Sequence, residues 1–186
     1  MQQPHPAYTP TAIGLHWIIF FLIACAWPLG QFVSGLPFSP QKLRLIAWHK
    51  WIGVTVFMLA LLRLAWRLYR PPPPLPLSDL QRRAAGAVHA LLYALIILIP
   101  ISGWLFSSAA GVPTVYLGLI QLPDLLHKDK ALAQTLNQVH ATLNWTLLVL
   151  VCGHAGFALK HHLVDRDGVL VRMIPRLKVR KSESPS

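Results

Sequence analysis

Residues 138–162 read QVHATLNWTLLVLVCGHAGFALKHH, an apolar stretch with His140 and His154 inside it. Fourteen residues separate the two imidazoles, almost four whole helical turns, so on a helix they leave one face at levels roughly 21 Å apart. A hydrocarbon core is about 30 Å thick. One histidine therefore lies towards each membrane surface while both point into a bundle. The stretch reads as the shared wall of two stacked metal or haem sites; the alternative is a pair of interior histidines bonded to neighbouring helices.

The rest of the chain supplies the bundle. Of 186 residues, 54% are hydrophobic and only 12% charged, and the mean hydropathy is +0.49, which places the chain in a membrane. Four apolar stretches, residues 13–33, 47–68, 87–106 and 138–162, predict an all-α membrane protein: one four-transmembrane-helix bundle forming a single membrane domain over residues 1–186. The net charge of +11 comes from basic residues that bracket the spans rather than line a polar face. Lipid headgroups, not nucleic acid, are the partner this implies.

Cys25 and Cys152 fall inside spans, where a free thiol is an apolar filler. Without a Cys-x-x-Cys-His motif, covalent haem attachment is excluded, and two cysteines are too few for an iron–sulfur cluster held by four. Ala24, Cys25 and Ala26 resemble a signal-peptidase site, but no Lys or Arg precedes them, so the first span is expected to be a retained helix.

Taken in order, residues 1–11 are a polar lead in which His5 is expected to be solvated. His16 lies one turn into the first span, beside Gly14, with Pro28 near the far end. An ionisable side chain there needs an interior partner, which makes His16 a candidate ligand at the inner level. Residues 35–43 are expected to be a turn, after which the second span begins near Trp48. His49 then stands at the outer level, as does His140. Gly53 shares the face of His49, where a missing side chain would let a flat macrocycle approach; the alternative is helix–helix contact.

Arg63, fourteen residues after His49, faces the interior at the inner level. It suits either a haem propionate, whose planar charge matches its fork, or lipid phosphate reached by snorkelling. Snorkelling is the expectation for Arg67 and Arg70. Residues 71–83 read as a stiff proline-rich linker with Asp79, Arg82 and Arg83. The third span carries His89 and Tyr93 one turn apart at the inner end. His89 lies at the level of His16, so periodicity leaves open which of the two stands opposite His154.

Residues 107–137 form the longest loop, of a length to cap the outer site, with an apolar run at residues 115–122 suited to the interface. His127, among Asp124, Lys128 and Asp129, is expected to be solvated. Beyond the last span come Lys160, His161 and His162, then a basic tail over residues 167–186 whose end is expected to be disordered. Twelve Lys and Arg lie on the side of Arg63 and five on the other, namely Lys42, Arg44, Lys50, Lys128 and Lys130. The positive-inside bias puts both termini in the cytoplasm of a bacterial inner membrane.

Bis-histidine haem is the economical chemistry, because it needs two axial imidazoles and no anionic ligand. Zinc or di-iron would call for carboxylates or further ligands, and none of the six acids lies in a span. That absence also weakens a third class, a proton-coupled transporter.

Gly14-Leu15-His16-Trp17, the run from His49 to Gly53 followed by Arg63, His89 with Tyr93 and Pro100, and His154 to His162 followed by Arg172-Met173-Ile174-Pro175 together resemble bacterial cytochrome b561 over residues 13–175. The resemblance implies two b-type haems, the inner held by His16 and His154 and the outer by His49 and His140. It leaves His89 without an iron. It further implies electron transfer between a periplasmic-side reactant and the quinone pool, with superoxide oxidation and ubiquinone reduction as one known reaction of the family.

On this reading Lys42, Arg44, Lys50, Lys128 and Lys130 would steer a small anion to the outer face. His89, Tyr93, Lys160 and His161 would contact quinone or stand behind the haem ligands. The alternative is a non-catalytic cytochrome b subunit serving a partner dehydrogenase or hydrogenase.

Overall fold

The computed structural model describes residues 8–73, 77–165 and 170–174. The expectations for His5, for Pro74 and Pro76, and for most of the basic tail lie outside the described residues. Four long helices follow one another: α1 (Pro10–Gly35), α2 (Pro40–Tyr69), α3 (Asp79–Ala109) and α4 (Lys130–Lys160), the last continued by a π-helical turn, His161–Asp165. Between α3 and α4 lie two short strands, β1 (Val115–Tyr116) and β2 (Ile120–Gln121).

Each helix starts where a side-chain oxygen can accept an otherwise unpaired backbone N–H. The Thr9 hydroxyl accepts from Ala12, Ser39 from Lys42 and the Asp129 carboxylate from Leu132, while Ser78 and Gln81 form a reciprocal capping box. Pro10 and Pro40 occupy first helical positions, where a missing N–H costs nothing. Because these caps lie outside the apolar stretches, the helices overrun them. α2 begins within the expected turn, α3 takes up Asp79, Arg82 and Arg83 from the expected linker, and α4 starts well before residue 138. In its first turn α3 pairs Arg82 with Asp79.

All four helices are long and apolar enough to cross a membrane, and only 6% to 17% of their apolar windows is buried inside the protein. Much of the remaining apolar surface is thus left for lipid. α3 and α4 pack most extensively, followed by α1 with α2 and then α2 with α3. The buried core is Leu92, Leu95 and Ile99 of α3 with Leu147 of α4, flanked by Leu143, Leu150 and Val151. Leu147 falls between His140 and His154 on α4, and Leu92, Leu95 and Ile99 run along α3 up to the carbonyl that meets His140, so an apolar slab extends from the outer histidine pair towards the inner one.

The loop expected over residues 107–137 is shorter and more ordered. α3 runs on to Ala109, α4 starts at Lys130, and the apolar run folds as an antiparallel hairpin pairing Val115 with Gln121 and Tyr116 with Ile120. Its turn needs positive φ at Leu117 and Gly118. The Trp51 indole donates to the Val115 carbonyl at 2.7 Å, the Tyr116 hydroxyl meets that of Thr55 at 3.0 Å, and Trp104 donates to the Pro123 carbonyl at 3.1 Å. These bonds fasten the hairpin to the outer halves of α2 and α3.

The slab predicts where stability resides. Leu147→Ala is expected to cost about 2–5 kcal/mol, as for other buried leucines, and to lower the thermal midpoint of the detergent-purified protein. Val149→Ala, at a position 69% exposed to the lipid side, should leave that midpoint nearly unchanged.

Candidate functional site

His49 on α2 and His140 on α4 face each other with ring centroids 6.2 Å apart. His16 on α1 and His154 on α4 do so at 6.4 Å. Two metal–imidazole bonds of about 2.0–2.1 Å, with about 1.1 Å from each donor nitrogen to its ring centre, put coaxial rings ~6.3 Å apart. Both pairs therefore have the span for one metal between them. His89 lies 5.2 Å from the His154 ring, too close for that arrangement. The choice that periodicity leaves open is thus weighted by distance towards His16.

The outer pair is also oriented. His49 Nδ1 donates to the Ala26 carbonyl at 3.1 Å. His140 Nδ1 lies 3.1 Å from the Ile99 carbonyl and 3.0 Å from the Ser102 hydroxyl, which itself donates to Ile99 at 2.7 Å. A proton held on Nδ1 leaves the Nε2 lone pair for a metal.

Each anchoring carbonyl lies four residues before a glycine. A Cβ at Gly30 would come within 2.9 Å of the His49 ring, and one at Gly103 within 3.0 Å of the His140 ring. A larger residue at either position would push the imidazole off the carbonyl behind it. Gly53, read from the sequence as room for a flat macrocycle or as a helix–helix contact, lines the cavity between the outer histidines, and a Cβ there meets nothing within 4 Å. The clue to Gly30 and Gly103 was the proline near each, Pro28 and Pro100, which already marks an irregular turn.

That cavity, about 60 Å³ in volume, lies between walls formed by Trp27, His49, Gly53, His140, Asn144 and aliphatic side chains. No Lys, Arg or acid lines it. Among the described residues no group of three or more His, Cys, Asp or Glu could hold a bare metal ion. Two facing neutral imidazoles in an apolar chamber fit a metal whose remaining donors come from a macrocycle.

Comparison with known proteins agrees with this chemistry. The family model for prokaryotic cytochrome b561 matches residues 7–176. The chain belongs to the prokaryotic cytochrome b561 family. Cytochrome b561 homolog 2 of Escherichia coli (strain K12) is 35% identical over 176 residues, covering 90% of each chain. The probable superoxide oxidase CybB of Yersinia pestis is 30% identical over 178 residues, 92% of this chain and 98% of that one. Cytochrome b561 homolog 1 of Escherichia coli (strain K12) is 29% identical over 184 residues, again 92% and 98%. The family binds b-type haem and carries out membrane electron transfer, and four spanning helices suit a multi-pass protein of the bacterial inner membrane.

In this cytochrome b561 the inner level is richer in polar groups. Arg63 lies within electrostatic reach of His16, His154 and His89, with its guanidinium carbon 5.4 Å from the centre of the Tyr93 ring. Arg67, expected to snorkel, lies over the same ring at 5.7 Å. The Trp17 indole donates to the Met173 carbonyl at 3.0 Å. That bond ties the Gly14-Leu15-His16-Trp17 motif to the C-terminal Arg172-Met173-Ile174 segment, two stretches far apart in sequence.

Lys160 and His161 do not stand free beside the inner histidines. Both bond Asp165, at 2.9 and 3.1 Å, and His161 is only 2% exposed with its ring packed on Phe157. At the outer face, Lys42 donates to the Leu36 carbonyl at 2.6 Å, and Lys50 to Val112 and Pro113 at 3.0 and 3.3 Å. Arg44, Lys128 and Lys130 are exposed, as is His127.

Gly103→Val should displace the His140 ring. Its expected consequence is a fall in haem-to-protein ratio, read by the pyridine haemochrome assay. Gly14→Val, at a position with no atom within 4 Å of the added carbon, should leave that ratio intact.

Proposed function

We propose that the protein holds two b haems, the outer between His49 and His140 and the inner between His16 and His154, and that it oxidises superoxide while reducing ubiquinone. The observation that carries this reading is the pair of spacings, 6.2 and 6.4 Å, at two levels of one bundle. Haem b between two neutral imidazoles supplies one-electron iron chemistry. The printed name of the Yersinia pestis relative, probable superoxide oxidase, supports the choice of donor.

The chain's own residues take the remaining roles. With both termini in the cytoplasm, the exposed cations Arg44, Lys128 and Lys130 draw a small anion to the periplasmic face. Lys42 and Lys50, whose ammonium groups are engaged by carbonyls, add to that field without meeting the anion directly. Each superoxide gives up one electron and leaves as dioxygen. Two such electrons and two protons convert one ubiquinone to ubiquinol at the inner end. There His89 and Tyr93 offer hydrogen bonds to the quinone, and Lys160 and His161, both tied to Asp165, stand behind them as further donors. Arg63 pairs with a propionate of the inner haem.

Stopped-flow mixing of the purified oxidised protein with superoxide, followed by ubiquinone, tests the reaction. The expected result is haem reduction by superoxide and reoxidation by ubiquinone. Reduction that requires an added dehydrogenase would instead support an electron-carrying subunit serving a partner protein. His140→Ala should remove the outer haem alone and His154→Ala the inner alone. An unchanged haem count in both variants is incompatible with the assignment.

A further inference from the structure

The inner ends of α2 and α3 hold two guanidinium groups that the described protein leaves unanswered. Arg63 and Arg67, one turn apart on α2, converge on one face, with the Tyr93 ring of α3 5.4 and 5.7 Å from their guanidinium carbons. Both are half-buried. Among the described residues neither donates a hydrogen bond or pairs with a carboxylate; the ion pairs there use Arg82, Lys160 and His161. Two like charges sharing one aromatic platform at membrane depth repel each other and lose hydration unless an anion joins them. Arg63 is within electrostatic reach of His16 and His154, and both arginines of His89.

The outer level is built differently. Its cavity is lined by no Lys or Arg, and the nearby Lys42 and Lys50 direct their ammonium groups at backbone carbonyls. Charge compensation is therefore concentrated at one of the two histidine pairs.

We propose that Arg63 and Arg67, laid across Tyr93, form a two-pronged oxyanion clamp for the carboxylates of the inner haem, and that this clamp makes the inner haem the higher-potential one. The proposal rests on the two-haem reading above. A guanidinium fork matches a carboxylate in plane and spacing. Reduction of a ferric haem adds one negative charge, which a neighbouring cation stabilises in a medium of low dielectric. The favoured step moves one electron from the outer iron, which goes from ferrous to ferric, to the inner iron, which goes from ferric to ferrous. No proton is needed for it. A lipid phosphate is the other oxyanion such a clamp accepts, so the test must separate the two sources.

The test is an optical redox titration of full-length wild type, Arg63→Gln, Arg67→Gln and Arg67→Lys, with His140→Ala assigning the inner wave. In wild type the inner wave should lie at higher potential than the outer. Each Gln variant should shift the inner reduction equilibrium at least tenfold towards the oxidised form, ~59 mV for one electron, with the outer wave in place. Resonance Raman should show the propionate-bending band of the inner haem moved in Arg67→Gln. Arg67→Lys keeps the charge but not the fork, so it should retain most of the potential while the band still moves; it also serves if a Gln variant loses haem.

An inner wave and band unmoved in both Gln variants, with both haems present, overturn the clamp. If co-purified phospholipid falls in those variants instead, the bound oxyanion is a lipid phosphate and the haem assignment is again overturned. An inner wave below the outer in wild type overturns the proposed direction. A wild type without two haem waves defeats the two-haem reading itself, a failure distinct from these.

Discussion

A bond from an imidazole to a backbone carbonyl on a neighbouring helix governs the outer half of this protein. Inside a bilayer no water is at hand to satisfy a ring N–H. His49 therefore finds the carbonyl of Ala26, and His140 finds that of Ile99 with the Ser102 hydroxyl. A helical carbonyl already accepts from the residue four positions on, and a side chain there would screen it. Gly30 and Gly103 remove that screen. The two histidines thus reach across helix boundaries by the same device, which sets their rings 6.2 Å apart with a second nitrogen on each.

The rest of the bundle can be understood as support for that arrangement. α1 pairs with α2 and α3 with α4, and α2–α3 contact joins the two hairpins. The gap between α1 and α4 is crossed by side chains, with Trp27 meeting Trp145 at 5.1 Å and His16 meeting His154 at 6.4 Å. A bundle closed tightly on all sides would leave no chamber between the imidazoles. Leu92, Leu95, Ile99 and Leu147 concentrate close packing below the outer chamber instead. In a protein of the cytochrome b561 family, whose members carry out membrane electron transfer, such packing holds the two histidine pairs at a fixed separation.

The two ends differ in polarity. The outer chamber is apolar, and its surface lysines are partly absorbed by loop carbonyls. At the inner end arginines gather on Tyr93, a C-terminal segment returns to Trp17, and Asp165 collects Lys160 and His161. The stretches around His16 and around Arg172, far apart in sequence, therefore belong to one structural unit.

The number and order of the spanning helices, and the level of each histidine along its own span, were determined by sequence, because a helix advances a fixed distance per residue and a bilayer has a fixed thickness. That is why His140 and His154 could be placed on one face and His49 matched to the outer level without coordinates. Depth is a one-dimensional quantity; lateral distance is not. Whether His16 or His89 stands at metal-bridging distance from His154, which glycine lies against an imidazole, and where Arg67 points all depend on how helices rotate and lean against one another. The hairpin within residues 115–122 likewise depends on Trp51 and Thr55, which a local pattern cannot see. Helix ends fell between the two cases: the caps Thr9, Ser39, Ser78 and Asp129 are visible in the chain, but hydropathy follows the hydrocarbon boundary, whereas backbone hydrogen bonding continues until a cap ends it.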